Sequence, residues 1–242
     1  MRVYWLEQSE ADVPADDNWL SANETDRLLS LRVPKRRTDW RLGRWTAKRA
    51  VGAYLDRTGS SRALTSIQIL PAASGAPEVL LQDRTPAPSI SLSHRGGIAL
   101  CAVAEPHVTL GCDLEMIEPR DDNFVADYFT EEEQALVAGV AEDERFLLLA
   151  LLWSAKESGL KALRTGLRLD TRRVDVRLPG LLSEQLHGGR LLLERWRVFE
   201  VCCPEDQVLQ GWWRQTANFL RTIIANPPTP VLPHSLEGSL KR

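Results

Sequence analysis

Apolar and polar residues follow two different periods along this chain, so both strands and helices are expected. An alternating pattern at residues 3–7 predicts a first strand, and residues 98–104 and 108–115 predict two more. Residues 22–57 carry apolar side chains at helical spacing, and Pro34 predicts a break within this helical region.

The second half of the chain repeats this combination of helix and strand. Thr130-Glu-Glu-Glu133 has the pattern of a capping box and predicts the start of a helical region that reaches about Leu163. Further strands are predicted over residues 170–178, 191–203, 207–213 and 218–225. Together these patterns predict an α+β fold.

A short sequence recurs in the two helical regions. Trp45-Thr-Ala-Lys48 is followed by Arg57-Thr-Gly59, and Trp153-Ser-Ala-Lys156 is followed by Arg164-Thr-Gly166. The spacing from Trp to Arg is twelve residues in the first case and eleven in the second. We interpret this recurrence as an internal duplication.

The duplication predicts two similar α+β halves. The N-terminal half would cover residues 1–107 and the C-terminal half residues 108–226. Residues 227–242, which contain four prolines, are expected to form a flexible tail. A cleft between two such halves would be a usual place for a ligand site.

Composition changes this picture little but excludes several classes of protein. The chain has 242 residues, of which 43% are hydrophobic, as is ordinary for a globular protein. Its longest apolar run, Phe146 to Trp153, is much shorter than the roughly 20 residues of a membrane span. The first residues lack the pattern of a secretory signal, and the four cysteines contain no C-x-x-C pair. We therefore expect a cytoplasmic protein with reduced thiols.

Charge is distributed unevenly. Residues 31–50 carry eight basic side chains against Asp39 alone, which suggests an anionic ligand. Helical spacing places four of these basic residues on one face: Arg37, Arg41, Arg44 and Lys48. A solvated face is the alternative, and nucleic-acid binding is a third possibility that the pI of about 5.9 disfavours.

Two acidic residues on one predicted strand are candidates for a metal site. Asp113 and Glu115 are two residues apart in Gly111-Cys-Asp-Leu-Glu115, so they share one face of the strand. Paired carboxylates suit Mg²⁺, although a solvated strand face would show the same pattern.

The second helical region adds a stripe of charge beside Trp153. Glu157 and Lys161 follow Trp153 at intervals of four residues, and Lys156 flanks the stripe. A surface ion pair is the simplest explanation of Glu157 and Lys161, but the adjoining eight-residue apolar run favours a partly buried site. Ser91-Leu-Ser-His-Arg-Gly-Gly97 is a further candidate, because small residues before a strand let backbone amides approach a phosphate.

Taken together, these segments resemble the 4′-phosphopantetheinyl transferases of the larger, surfactin-type branch. The resemblance extends over residues 37–166, and the order of its motifs is more specific than any one of them. The motifs are Arg41-Leu-Gly-Arg-Trp-Thr-Ala-Lys48, Ser91-Leu-Ser-His94, Gly111-Cys-Asp-Leu-Glu115, Phe129-Thr-Glu-Glu-Glu133 and Trp153-Ser-Ala-Lys-Glu-Ser-Gly-Leu-Lys161.

The resemblance implies a monomer with two halves related by pseudo-twofold symmetry and an active site in the cleft between them. It implies transfer of 4′-phosphopantetheine from coenzyme A to a serine hydroxyl of an acyl or peptidyl carrier protein, with release of adenosine 3′,5′-bisphosphate. Mg²⁺ would be the metal, with Mn²⁺ as a substitute, and neither nucleic acid nor a membrane would be a partner.

Site residues are carried over by the same resemblance. The implied metal ligands are Asp113, Glu115 and Glu157, and the implied catalytic residues are Glu157, Lys161 and Lys156, with Glu157 as the base. The implied coenzyme A contacts are Arg37, Arg41, Arg44, Lys48, Ser93, His94, Lys156 and Lys161.

Two departures from the family and two rival interpretations accompany this one. Cys112 stands before the first implied metal ligand, where the family usually has a β-branched residue. Many members have Gly-Lys-Pro where this chain has Gly75-Ala-Pro77, so Arg37 or Arg41 is expected to compensate for a lysine at Ala76. The first rival is an Mg²⁺-dependent phosphodiesterase or nuclease that uses the same carboxylates. The second is a non-catalytic, partner-binding relic of the fold, which the presence of all three carboxylates and both lysines disfavours.

Overall fold

The computed structural model describes residues 1–83, 85–179 and 195–239. The helices of these ranges are α1 (Ala22–Ser30), α2 (Pro34–Arg57), α3 (Asp122–Tyr128), α4 (Glu131–Ala138) and α5 (Glu142–Ala162). The strands are β1 (Val3–Ser9), β2 (Ile67–Pro71), β3 (Pro77–Leu81), β4 (Ser89–Arg95), β5 (Ile98–Ala104), β6 (Thr109–Met116), β7 (Asp175–Arg177), β8 (Arg197–Cys202), β9 (Val208–Thr216), β10 (Phe219–Asn226) and β11 (His234–Ser235).

These elements form two compact units. The N-terminal unit comprises Met1–Leu110 and Pro233–Arg242, and the C-terminal unit comprises Gly111–Leu232. The boundary therefore falls three residues after the predicted position at 107.

The N-terminal unit is a sheet covered by one long helix. Its four strands lie in the order β11-β1-β5-β4, and β2 pairs with β3 as a separate hairpin. The helix α2 begins with Pro34 at its first position, which suits proline because no intrahelical hydrogen bond is lost there. Its apolar residues, among them Ala47 and Val51, pack with Leu6 and Cys101 of the sheet.

The C-terminal unit has the same general composition. Its five strands lie in the order β6-β10-β9-β8-β7, and α5 supplies the apolar face of the core. Leu148, Leu151 and Leu152 of α5 are fully buried there with Phe199 of β8. An α+β composition is thus confirmed, and no described helix is long and apolar enough to cross a membrane.

Several elements differ from the sequence prediction. The strand predicted over 170–178 is confined to β7, because 3-10 turns occupy Gly166–Arg168 and Thr171–Arg173. Part of the strand predicted over 191–203 lies outside the described residues. The predicted flexible tail contains β11, which pairs parallel to β1, and Leu236, which is fully buried in the core of the N-terminal unit.

A close approach of β6 to α5 depends on Gly111. A Cβ atom at this position would lie 1.8 Å from the carbonyl oxygen of Ser158 and 2.9 Å from the amide nitrogen of Ala162. Both neighbours are backbone atoms, so a small side-chain movement cannot relieve the overlap.

We therefore expect Gly111→Ala to destabilise the protein by about 1–3 kcal/mol, or more, through overpacking. The free energy of unfolding from urea titration measures this effect. Gly238→Ala is a suitable control, because a Cβ at Gly238 would meet nothing within 4 Å. An unchanged urea midpoint for Gly111→Ala would contradict the close approach.

Candidate active site

Asp113 and Lys161 form the best defined part of the site, where β6 meets α5 in the C-terminal unit. Asp113 is 4% exposed, and its Oδ1 lies 2.7 Å from the Nζ of Lys161. The same ammonium group donates a hydrogen bond of 3.1 Å to the carbonyl oxygen of Cys112. Burial by itself lowers the pKa of Lys161, but the charge and hydrogen bond of Asp113 outweigh it and the pKa is raised. Lys161 is therefore a fixed cation at this position, and its side chain remains 29% exposed.

Glu157 lies one helical turn before Lys161 on α5. Burial raises the pKa of Glu157, the negative charge of Asp113 raises it further, and Lys161 opposes both. Glu157 therefore shares an electrostatic environment with Asp113 and Lys161. A carboxylate with a raised pKa holds a proton more readily, which is a useful property of a general base.

Glu115 faces different partners. Its Oε1 accepts a hydrogen bond of 3.0 Å from the indole Nε1 of Trp153, and its Oε2 accepts one of 3.3 Å from Arg120. Among the described residues, no group of three or more His, Cys, Asp or Glu side chains is already placed to hold a metal ion. The three-carboxylate metal site stays a prediction.

Asp113 and Glu157 nevertheless fit a hard divalent cation as a pair. Their like charges raise the pKa of Glu157, and a cation near both would remove that repulsion. Mg²⁺ commonly takes one or two protein carboxylates and completes its coordination with substrate phosphates and water. These two carboxylates are therefore a pair that would suit such a cation.

Lys156 is directed away from solvent and into the C-terminal unit. Its side chain is 0% exposed, and its Nζ lies 2.7 Å from Oε2 of Glu133. It also donates to the carbonyl oxygens of Thr171 and Val174, at 2.7 and 2.6 Å. Burial lowers the pKa of Lys156, and the charge of Glu133 opposes that shift. All three donor positions of this ammonium group thus have protein partners.

Glu133 joins three elements through its carboxylate. In the capping box at the start of α4, Oε2 accepts from the backbone N–H of Thr130 at 2.9 Å. Oε1 accepts from the backbone N–H of Val176 in β7, also at 2.9 Å. Together with Lys156, these contacts tie the start of α4 and strand β7 to α5. Burial raises the pKa of Glu133, and Lys156 opposes the shift.

The same network recurs in the N-terminal unit. Lys48 is 0% exposed, and its Nζ lies 2.5 Å from Oε2 of Glu24. Ser21 and Glu24 form the capping box of α1, and Oε1 of Glu24 accepts from the backbone N–H of Ile69 in β2 at 3.0 Å. A further hydrogen bond of 2.9 Å joins Lys48 to the carbonyl oxygen of Trp19. Glu24 and Lys48 thus repeat the roles of Glu133 and Lys156.

Of the other three residues of the predicted basic face, Arg37 and Arg41 contact the segment before α2, and Arg44 contacts β2. Arg37 donates to the carbonyl oxygen of Leu28 at 2.8 Å, and Arg41 pairs with Asp17 at 2.8 Å. Arg44 donates to the carbonyl oxygen of Ile69. Burial lowers the pKa of Arg44, whose side chain is 14% exposed. The predicted polyanion face is therefore partly occupied by contacts inside the N-terminal unit.

Ser93 and His94 lie next to each other on β4. Ser93 is buried and His94 is exposed, because successive side chains of a strand point to opposite faces. The predicted residues thus divide into two sets. The C-terminal unit holds Asp113, Glu115, Lys156, Glu157 and Lys161, and the N-terminal unit holds Arg37, Arg41, Arg44, Lys48, Ser93 and His94.

Sequence analysis missed Glu24 and the position of Glu133 in the core. Ser21-Ala-Asn-Glu24 has the same capping-box spacing as Thr130-Glu-Glu-Glu133. Each capping box is followed by the sequence Trp-x-Ala-Lys at a similar distance. The internal recurrence therefore begins earlier in each half than the segment from which the duplication was predicted.

Residues 109–209 match the family model of the 4′-phosphopantetheinyl transferase superfamily. The matched segment is shorter than half of the chain and contains the whole Asp113–Glu157–Lys161 cluster. No curated protein matches the chain. Among solved structures, the chain is similar to the crystal structure of Thermotoga maritima holo-[acyl-carrier-protein] synthase, at 20% identity and a TM-score of 0.35. That similarity covers 52% of this chain and 72% of the other. The predicted resemblance is confirmed at the level of the superfamily for residues 109–209.

Proposed function

We propose that this protein is a 4′-phosphopantetheinyl transferase of the surfactin type, acting on coenzyme A and an apo acyl or peptidyl carrier protein. The observation that carries the proposal is the Asp113–Glu157–Lys161 cluster, which lies entirely within the segment that matches the superfamily. A fixed cation beside a carboxylate of raised pKa suits a reaction between a hydroxyl group and a pyrophosphate.

In this proposal the serine oxygen of the carrier protein attacks the phosphorus atom that bears the pantetheine arm. A new P–O bond to serine forms as the P–O bond inside the pyrophosphate breaks, and adenosine 3′,5′-bisphosphate leaves. Glu157 accepts the proton of the serine hydroxyl. Lys161, held by Asp113, stabilises the negative charge that develops on the phosphate oxygens.

A bound Mg²⁺ would supply further charge neutralisation of the pyrophosphate. Asp113 and Glu157 would hold it, because their paired carboxylates form the hard donor set described above. Glu115 would lie next to this pair without binding the metal, and it would act through its hydrogen bond with Trp153.

Lys156 has a different part in the proposal from the one that the family resemblance implied. Since its ammonium group is fully buried and has three protein partners, it positions α5 and does not touch substrate. Lys48 has the same function for α2. The recurrence of this network supports an internal duplication, and we propose that the protein is a cytoplasmic monomer of two similar halves.

The proposed function predicts a covalent change in a carrier protein. With coenzyme A and Mg²⁺, a panel of apo acyl and peptidyl carrier proteins should include one whose mass increases by one phosphopantetheine group, and EDTA should prevent the increase. Intact-protein mass spectrometry measures both. If every carrier class stays unmodified, the proposal fails. Cleavage of coenzyme A without a carrier protein would instead indicate the rival phosphodiesterase.

Arg44 is the residue of α2 that best fits the nucleotide end of coenzyme A. A guanidinium group has five N–H donors, and in the described part of the chain that of Arg44 makes one hydrogen bond, to the carbonyl oxygen of Ile69, and an ion pair of 3.8 Å with Glu24. A charge-assisted hydrogen bond to phosphate contributes roughly 1.5–3 kcal/mol. Arg44→Ala should therefore raise KM for coenzyme A by about 10- to 100-fold.

Dephospho-coenzyme A provides the control for that measurement, because it lacks the 3′-phosphate. Its KM should change much less in Arg44→Ala than the KM for coenzyme A does. Equal increases with both substrates would place Arg44 elsewhere.

A further inference from the structure

Glu115 belongs to a closed ring of four side chains in the C-terminal unit. Its carboxylate oxygens accept hydrogen bonds from two neighbours, Oε1 from Trp153 at 3.0 Å and Oε2 from Arg120 at 3.3 Å. Phe124 closes the ring. The guanidinium carbon of Arg120 lies 4.9 Å from the centre of the Phe124 ring, and the rings of Phe124 and Trp153 meet edge to face with their centres 5.1 Å apart. Each of the four side chains thus contacts two of the others.

The ring joins three elements of the C-terminal unit. Glu115 is on β6, Phe124 on α3 and Trp153 on α5, and Arg120 lies in the segment between β6 and α3. Tyr128, one turn after Phe124 on α3, also meets Trp153 edge to face, with the ring centres 5.1 Å apart. Since these aromatic contacts attach α3 to α5 without the ion pair, we expect α3 to keep its position when Arg120 alone is changed.

Two further contacts fix Arg120 beside Glu115. The face of the Phe124 ring attracts the guanidinium group, and Nη2 of Arg120 lies 3.5 Å from Oε1 of Glu118. The side chain of Arg120 is 24% exposed and that of Glu115 is 12% exposed, so solvent and salt screen their attraction less than at an open surface. Arg120 therefore stays near Glu115 without depending on that carboxylate alone.

Glu115 is close to the proposed metal-binding pair but is engaged by other partners. Asp113 and Glu115 are two residues apart on β6, so both side chains project from the same face of the strand. Asp113 pairs with Lys161 and influences Glu157, whereas Glu115 contacts Arg120 and Trp153. The partners of Glu115, and not its place in the sequence, thus distinguish it from Asp113.

We propose that Arg120 sets the metal affinity of the candidate site by holding the carboxylate of Glu115 away from the cation. With Arg120 in place, Asp113 and Glu157 serve as the two protein ligands, and phosphate oxygens and water complete the coordination. Loss of Arg120 releases Glu115 to join them as a third carboxylate. This inference rests on the proposed function, because it depends on the Asp113–Glu157 pair.

A site with two carboxylates suits a metal ion that must also bind a pyrophosphate. Each further carboxylate strengthens metal binding, but it also adds a negative charge that repels the anionic substrate and takes a position that a phosphate oxygen would occupy. By withholding Glu115, Arg120 keeps metal binding weaker and leaves more of the coordination to coenzyme A.

Binding of Mn²⁺ to the full chain, without coenzyme A or a carrier protein, tests the proposal. Free Mn²⁺ gives a sharp EPR spectrum that broadens on binding, so the amplitude of that spectrum during a titration measures Kd. Arg120→Met removes the charge and the N–H donors of the side chain. It should bind Mn²⁺ about 10- to 100-fold more tightly than the wild type, the usual range for changes in groups that contact the surroundings of a metal site.

A second background separates the release of Glu115 from the simple loss of a positive charge. In a Glu115→Gln protein there is no carboxylate to release, so adding Arg120→Met should raise Mn²⁺ affinity several times less than it does when Glu115 is present. A gain of similar size in both backgrounds would overturn the proposal. Unchanged affinity in Arg120→Met, or no Mn²⁺ binding by any folded variant, would also overturn it.

Arg145→Met is the matched control for charge. Arg145 belongs to the same unit, its side chain is 25% exposed, and it pairs with Asp122 at 2.7 Å. The substitution removes the same charge without removing a partner of Glu115, so Mn²⁺ affinity should stay nearly constant. An increase as large as that of Arg120→Met would assign the effect to net charge and overturn the proposal.

Arg120→Ala provides a second variant if Arg120→Met folds poorly, because it places no apolar chain between Glu115 and Glu118. The same increase in Mn²⁺ affinity is expected, and wild-type affinity in the folded protein would overturn the proposal. Failure of this inference is distinguishable from failure of the proposed function. Tighter Mn²⁺ binding in a protein that modifies no carrier protein would refute the transferase alone, whereas normal transfer with unchanged Mn²⁺ affinity in Arg120→Met would refute this inference alone.

Discussion

Glu157→Gln should lower kcat of phosphopantetheine transfer by roughly 10²–10⁴-fold, the usual contribution of a general base. Glutamine keeps the size of the side chain and one oxygen, but it cannot accept the serine proton. The structure supports this role because burial and Asp113 both raise the pKa of Glu157, which strengthens its affinity for a proton. Coenzyme A should still bind, since the Asp113–Lys161 pair remains.

Two control variants make the result specific. Glu132→Gln changes an exposed carboxylate on α4 and should leave kcat unchanged. Asp113→Ala should weaken metal-dependent binding of coenzyme A as well as turnover, because it removes both a proposed ligand and the partner of Lys161. A Glu157→Gln protein with nearly normal kcat would exclude the base role and leave Glu157, at most, as a metal ligand.

Lys156→Met should lower the free energy of unfolding by about 3–5 kcal/mol, the typical cost of removing one partner of a buried ion pair. The substitution leaves the carboxylate of Glu133 buried at the start of α4 and two carbonyl oxygens, of Thr171 and Val174, without their donor. Urea denaturation measures the loss. Lys48→Met should show a similar loss, because Lys48 is equally buried beside Glu24.

A double variant distinguishes a positioning role of Lys156 from contact with substrate. Combining Lys156→Met with Glu133→Gln removes the uncompensated charge, so stability and kcat should both recover in part. A stable Lys156→Met protein that lacks activity, or a stable double variant without any recovery of kcat, would instead show that the ammonium group acts on the substrate.

The helices were the most predictable elements. The break at Pro34 and the capping box at Thr130 are local patterns, and α2 and α4 begin beside them. The short extent of β7 was less predictable, because the hydrogen bonds of its neighbouring 3-10 turns compete with strand pairing. The structure of residues 227–239 was not predictable from local sequence, because His234 and Ser235 pair with β1, more than 200 residues earlier in the chain.

For the candidate site, spacing predicted which residues share an element but not which partners they meet. Glu157 and Lys161 lie on one helix, so helical geometry alone predicts that their side chains are neighbours. Asp113 and Glu115 do share a strand, yet Trp153 and Arg120 engage Glu115. Likewise, spacing did not predict that Lys156 and Lys48 form ion pairs with Glu133 and Glu24, more than 20 residues earlier.

The two buried capping-box carboxylates also affect how the protein exchanges hydrogen with solvent. The backbone N–H groups of Val176 and Ile69 donate to Glu133 and Glu24, so each amide is covered as long as its ion pair is intact. These amides can exchange only when β7 separates from the carboxylate at the start of α4, or β2 from the carboxylate at the start of α1, which requires an opening of the unit concerned. The exchange rates of Val176 and Ile69 thus report separately on the opening of the two units, within one chain and without any substitution.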